Sequence, residues 1–553
     1  MTVVERAMPG PIGLEPSPAQ QPRRQDQIEA TRTELVDMIV ETVGVPLDVR
    51  AVVATLESTG LRDIDAQTDF GAADLFDLAG EVYERARQRA AGEGGGPQEL
   101  RRRGLLRRVG RFIKFYLKGS LFAAPMTAQI IVLFALSSSL WAWLFFSERQ
   151  ATVIAVGTIL SYIVTGGFSQ IISRRGMFYW QQGIYLLAKR ISENFLLGGV
   201  ALTLVVAVLM YVGNLILPIF EQDMILICIM YFVLLACLWL NVSILYMLEE
   251  HLAILLSTVI GGMLVWVIMT YLGWSIYASH AIGILVSNVI AFLWGRQILV
   301  RKARDVAGVQ ELAKMPRYSI ITWAVSPYFV YGVLYFGFLF LDRVVGWSAP
   351  YSPGGEPSPY IIWFRTAYEV GIDLALISLI LTIAMLEYTI NEFATMIIPE
   401  QEKHVAFDVH RHNRSFKAFY VRQLLLLLIV TVISMIISDI VVDWLRTLPW
   451  AAMGDAVITP FVYRWGMVGY AFLALGLLNA VFFLSLSRPR FVLRAIGVGF
   501  VVNVVVGFLL SRIVVYYYSV LGLVAGGVVF GLLSTWYAWR VMDELDYYYY
   551  SSY

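Results

Sequence analysis

Five ionisable residues stand inside hydrophobic stretches of this chain: Asp342 and Arg343 close one stretch, and Arg365, Glu369 and Asp373 open the next. A charge at the centre of a membrane costs roughly 2.5–3.5 kcal/mol on insertion scales, so such groups are the first candidates for an ion or substrate pathway. Arg365, Glu369 and Asp373 are spaced i, i+4, i+8, which stacks them along one face of a helix. Asp373 then lies about 10 Å further in than Arg365. A carboxylate at that depth needs a cation, a proton or water, and the stripe is expected to face a cleft. The bland alternatives are a solvated helix start for Arg365 and Glu369, and an ion pair at the interface for Asp342 and Arg343.

Other polar groups carry less chemistry. Glu387, Arg464, Arg512, Asp439 and Asp443 fall at the ends of hydrophobic stretches, where long side chains reach solvent. Gln129, Asn288, Asn479 and Asn503 are expected to tie helices together more than to line a path. No enzyme site emerges. His404, His410 and His412 alternate with basic residues and do not form a metal set, and no GxxxxGK[ST] phosphate loop occurs. No cofactor, metal or nucleic-acid partner is therefore expected. The basic segment around these histidines suits anionic lipid head groups. Cys228 and Cys237 fall on one helix about 13 Å apart along its axis, too far to pair.

The elements that must position the charges are membrane helices. Apolar residues make up 58% of the chain and charged ones 15%, against roughly 25% charged in an ordinary soluble domain. Windows of about 19 residues predict an all-α, polytopic membrane protein of about 12 transmembrane helices. The first six are read at 120–146, 151–173, 195–220, 224–247, 252–274 and 277–299, with Gly166-Gly167 interrupting the second. The second six are read at 318–345, 366–389, 419–442, 460–486, 491–512 and 515–539. Loops on one side carry Arg174, Arg175, Lys189 and Arg190, then Arg301 to Arg317, Lys403 to Lys417 and Arg488 to Arg494, while the other side offers little beyond Arg149 and Arg446. By the positive-inside rule the basic side is cytoplasmic, with both termini on it, in the inner membrane of a bacterium.

Ahead of the spans, residues 1–24 read as a disordered tail and 25–91 as a small cytoplasmic helical module. Within the module Ile28, Leu35, Ile39 and Val43 recur at helical spacing, Val49–Ser58 follows Pro46, and a last helix begins near Ala73. Residues 92–118 form a glycine linker and a basic juxtamembrane segment. The rest divides into an N-terminal six-helix lobe at 119–299, a cytoplasmic inter-lobe linker at 300–317, a C-terminal six-helix lobe at 318–540 and a cytoplasmic tail at 541–553.

The two lobes echo each other. SIYASHAIGILVSNVIAFLWGR (Ser275–Arg296) and SVLGLVAGGVVFGLLSTWYAWR (Ser519–Arg540) align the serines, Ala281 with Ala525, Gly283 with Gly527 and the closing arginines at one constant offset. That is the position expected of a duplicated six-helix unit, and two such units rocking against each other give alternating access. With this pattern, the chain resembles the multidrug/oligosaccharidyl-lipid/polysaccharide (MOP) exporter superfamily. Within it, the chain is similar to the Pel exopolysaccharide exporter family in ILSYIVTGGFSQIISRR (Ile159–Arg175), VLYFGFLFLDRVVGW (Val333–Trp347) and AYEVGIDLALISLILTIAMLE (Ala367–Glu387). The likeness covers about residues 105–540 and leaves the N-terminal module outside it.

The resemblance implies an exporter or flippase that moves a polysaccharide or lipid-linked saccharide, with Asp373, Glu369, Arg365, Asp342 and Arg343 as pathway candidates. A cation-coupled small-molecule antiporter of the same superfamily is the alternative. A non-transporting membrane scaffold that presents the N-terminal module to a glycosyltransferase or another biosynthetic protein is the reading from a different class.

Overall fold

A chain crossing hydrocarbon must satisfy its backbone polar groups within each segment, so long apolar stretches become helices. The computed structural model describes residues 32–39, 49–58, 61–92, 105–305, 317–351, 357–403, 409–447 and 455–543. Among them the regular structure is all helical, with isolated β-bridges only at Ser138–Trp143 and Tyr351–Pro357. The chain divides into two compact units, one comprising the residues up to Gly110 with Glu392–Arg414, the other Arg111–Asn391 with Ser415 onward.

In the first unit, helices α1 (32–39), α2 (Val49–Ser58), α3 (Asp63–Phe70) and α4 (Leu75–Gly92) bury Leu35, Ile39, Val52, Leu56, Phe70, Leu78 and Val82 in one core. Leu35 and Ile39 sit at the expected i, i+4 spacing, and α2 has the expected limits. Ile28, Val43 and Pro46 lie outside the described residues. Helix α3 was not expected, because Ile64, Ala66 and Phe70 are too few apolar residues to mark a helical stripe. It ends at Gly71, whose φ of +66° lets the Ala72 N–H reach the Ala66 carbonyl at 3.0 Å.

The second unit contains all or most of α5 (Leu105–Leu136), α6 (Glu148–Ile171), α7 (Tyr185–Ile216), α8 (Gln222–Met247), α9 (His251–Tyr271), α10 (Ile276–Asp305), α11 (Tyr318–Trp347), α12 (Thr366–Lys403), α13 (Val409–Arg446), α14 (Ile458–Ser485), α15 (Pro489–Ile513) and α16 (Val520–Asp543). Among the described residues eleven helices are long and apolar enough to cross a membrane, or twelve if the bent α5 is one span. The protein is an all-α multi-pass membrane protein.

The first span departs from its expected limits of 120–146. Helix α5 starts at Leu105, bends by 62° between Leu121 and Ala124, and ends at Leu136. Pro125 lies inside the helix just after the bend and lacks the N–H that would bond to Leu121. The apolar run that extended the reading to 146 folds instead into a turn, with the Leu144 N–H on the Ser137 carbonyl at 3.1 Å. Its Leu140 is fully buried, and the Leu140 N–H donates to Gln129 Oε1 at 2.9 Å. The segment between the first two spans is thus longer than the four residues from Ser147 to Gln150 that the sequence indicated.

Helix α6 runs unbroken through Gly166-Gly167 and loosens only afterwards, in a π turn at Ile172–Gly176. The glycines serve a crossing. A Cβ on Gly166 would meet the Gly332 carbonyl of α11 at 2.8 Å, so the two helices touch backbone to backbone. Beside this crossing, Tyr116 of α5 donates to the Leu381 carbonyl of α12 at 2.7 Å, and Lys118 pairs with Glu387 at 3.2 Å. These contacts join the N-terminal lobe, α5–α10, to the C-terminal lobe, α11–α16. Within the lobes α8 packs on α6 and α10, and α16 packs on α14 and α15.

Candidate functional site

Helices α11 and α12 run side by side, and α11 places Asp342, Arg343 and Trp347 opposite Tyr368, Glu369 and Asp373 of α12. Arg343 Nη1 donates to Glu369 Oε2 at 2.6 Å and to Asp373 Oδ1 at 2.8 Å. The Trp347 indole N–H holds the other Glu369 oxygen at 2.9 Å. The Tyr368 hydroxyl donates to Asp342 Oδ2 at 2.6 Å, and Asp342 Oδ1 is buried without a hydrogen-bond partner. Tyr470 of α14 is buried beside Arg343. Two carboxylates thus share one guanidinium, and Asp342 lies buried next to it on α11 without bonding it, which leaves the cluster short of positive charge when all three are ionised.

The arrangement corrects three expectations. Asp342 and Arg343 do not make a local pair: neighbours on a helix point about 100° apart, so Arg343 turns to Glu369 and Asp373 while Asp342 turns to Tyr368. Arg365 and Glu369 are no solvated helix start, being 7% and 5% exposed. Arg365 also leaves the stripe. It donates to Ser358 Oγ at 2.6 Å and the Ala349 carbonyl at 3.3 Å, and its guanidinium lies 4.9 Å from the Tyr516 ring centre. An i, i+4, i+8 series drifts about 40° per step around a helix, enough to send its two ends to different neighbours.

Asp373, read as the most deeply embedded of the three, is the most accessible. Its side chain is 61% exposed while those of Glu369 and Arg343 are 7% and 8%. It is the only exposed residue between Ala367 and Thr389.

Next to the charges lies an aromatic platform that the sequence reading missed. Tyr162 of α6 stacks on Trp239 of α8 with ring centres 4.4 Å apart, and on Phe336 and Phe340 of α11 at 5.3 Å each. The Arg343 guanidinium lies 5.4 Å from the Phe340 ring centre, so platform and charges adjoin along α11. The signal was present as Phe336, Phe340 and Arg343 at i, i+4, i+7, but aromatic residues are so common in this chain that the spacing did not stand out.

The remaining polar residues are scattered. Gln129 bridges to the Thr258 carbonyl at 3.0 Å, Asn288 joins Asn241 at 3.0 Å, Asn479 joins Tyr420 at 2.7 Å and Ser534 at 2.9 Å, and Asn503 donates to the Phe338 carbonyl at 3.2 Å. Arg512 caps the end of α11 through the Val345 and Ser348 carbonyls at 3.0 and 2.9 Å. Asp439 accepts from Tyr463 at 2.8 Å, Asp443 pairs with Arg446 at 3.1 Å, and Arg464 is exposed. His404 lies outside the described residues, and His410 and His412 fall at the start of α13. Among the described residues no three His, Cys, Asp or Glu side chains converge to hold a metal.

The sequence matches no protein-family model and no curated protein. The fold does match solved structures. A MATE transporter of Vibrio cholerae superposes with a TM-score of 0.53 at 13% identity over 80% of this chain and 98% of its own. A MOP-superfamily transporter from Pyrococcus furiosus gives 0.53 at 14% identity over 79% and 96%. A MATE in complex with MaD3S gives 0.50 at 13% identity over 79% and 96%. The likeness to the Pel exporter family rests on the sequence phrases alone. What the two-lobed helical architecture establishes is the fold of the MOP-superfamily transporters.

Proposed function

We propose that this protein is a cation-coupled transporter working by alternating access, with Glu369, Asp373 and Arg343 as its ion site and the aromatic platform beside it as its substrate site. The observation that carries this reading is the shared guanidinium. Two carboxylates on one Arg343 leave room for a proton or Na⁺, and Asp373 is open to receive it while Glu369 is closed off. A bound cation would release Arg343 from one carboxylate and let α12 shift against α11. Because Phe340 touches Arg343, that rearrangement reaches the platform directly. Aromatic faces beside excess carboxylate suit an organic cation, and the MATE transporters that share the fold point the same way.

A reconstituted system tests this. In proteoliposomes with an imposed proton or Na⁺ gradient, the full chain should accumulate ethidium, and Asp373→Asn should abolish accumulation while the amount of inserted protein stays the same. Undiminished accumulation by Asp373→Asn would remove the cluster from the mechanism.

A saccharide cargo is the second reading, favoured by the flat stack of Tyr162 on Trp239, since aromatic faces also pack on the apolar faces of sugar rings. On that reading the N-terminal helices would hold a cytoplasmic glycosyltransferase or another biosynthetic protein. Movement of a lipid-linked oligosaccharide without movement of ethidium would favour it. On either reading we infer an inner-membrane protein whose basic loops face the cytoplasm. A single cysteine at Asp305 should then be unreachable by an impermeant reagent in intact cells, and labelling there would reverse the orientation.

A further inference from the structure

We propose that the C-terminal lobe carries a binding site for an anionic glycerophospholipid in the groove between the first turns of α11 and α15, on the side of the basic loops. The groove has a volume of about 710 Å³ and is lined by Trp323, Pro327 and Val330 from α11 and by Arg490, Leu493 and Arg494 from α15. That volume falls within the roughly 300–1,000 Å³ of small-molecule sites. Arg490 and Arg494 are exposed and stand one helical turn apart, so their guanidinium groups can close on one phosphate. Among the described residues neither makes an ion pair, whereas Arg343, Arg149 and Arg446 all do.

The apolar lining decides what kind of anion fits. Trp323 is 76% exposed and Val330, two turns deeper along α11, is 45% exposed, so an uncovered apolar wall runs from the level of the arginines toward the hydrocarbon. Tryptophan at the head-group level with apolar surface beneath it is the pattern of a helix end at the membrane interface. A free phosphate would use the two guanidinium groups and leave this wall bare; a phospholipid covers both with one molecule. Basic pockets between helices on the cytoplasmic side are suited to such head groups. The site lies apart from the ion cluster and does not depend on what the protein transports.

The test uses delipidated full-length protein in detergent, titrated with phosphatidylglycerol, phosphatidylcholine or inorganic phosphate, with bound lipid counted by native mass spectrometry. One phosphatidylglycerol should bind ahead of all others. Charge near a membrane surface contributes about 1 kcal/mol per arginine, so Arg490→Gln with Arg494→Gln should weaken that binding about 30-fold. Trp323→Ala should weaken it with both arginines intact, and Arg540→Gln, at the same end of α16, should leave it unchanged. Unchanged phosphatidylglycerol binding in the double variant would overturn the site. Equal binding of phosphatidylcholine, or full displacement of the lipid by millimolar inorganic phosphate, would overturn its assignment to an anionic lipid.

Discussion

The two lobes are built from the same small-residue seams and filled with different polar chemistry. In the N-terminal lobe α9 and α10 close on each other through Gly261 and Gly283, and in the C-terminal lobe α15 and α16 do so through Gly499 and Gly526. Ser275 precedes α10 just as Ser519 precedes α16. Yet Gln129, Asn214, Asn241 and Asn288, buried in the N-terminal lobe, are neutral amides that each bond a neighbouring carbonyl, amide or N–H, and the buried His280 beside them is held by the Tyr231 hydroxyl. Asp342, Arg343, Arg365 and Glu369 are all in the C-terminal lobe. Neutral amides fix one helix against another at modest cost, whereas embedded charges are retained where they do something. On the proposed function, the ion chemistry falls in the C-terminal lobe and the N-terminal lobe holds it in place.

The most damaging way to break this division is to remove the shared cation. Arg343→Gln leaves Glu369 buried without its partner, and losing one member of a buried pair costs about 3–5 kcal/mol. Thermal unfolding in detergent should show the largest drop of any single change in the lobe, and adding Glu369→Gln should recover part of it. A variant as stable as the parent would mean that the guanidinium holds nothing together.

A smaller effect is expected from the matching change in the other lobe. Gln129→Leu strands the buried Leu140 N–H, and an unsatisfied buried group costs about 1–3 kcal/mol. Stability should fall by that order while transport per folded molecule is kept. Loss of transport at normal stability would give the N-terminal lobe a part in the pathway and erase the contrast between the lobes.

The helices were legible in the sequence because hydrocarbon imposes one solution on a long apolar segment: α8, α9, α11 and α14 to α16 begin and end close to their expected limits, while α12 runs on to Lys403 and α13 starts at Val409, in polar sequence that hydropathy leaves out. Helix α5 was not, because hydropathy sees that Leu140, Trp141 and Trp143 are apolar and cannot see that three preceding serines and a Gln129 hydrogen bond turn them back into the lobe. The charged residues were legible as a set, since their cost in a membrane marks them individually. Their pairing was hidden. Whether Arg343 reaches Asp342 or Glu369 depends on how α12 is rotated against α11, and no spacing within one helix contains that angle. The platform was hidden for the same reason, its four rings coming from α6, α8 and α11.

Ion-linked stability tests the central claim without knowledge of the substrate. An ion that binds the folded protein raises its stability with ion concentration, so the unfolding temperature of the purified full chain should depend on Na⁺ at constant ionic strength, on pH, or on both. If the C-terminal cluster is the ion site, Glu369→Gln combined with Asp373→Asn should flatten that dependence, and Gln129→Leu should lower the unfolding temperature while keeping the dependence intact. A dependence that survives in the double variant would place the ion site elsewhere and contradict the account.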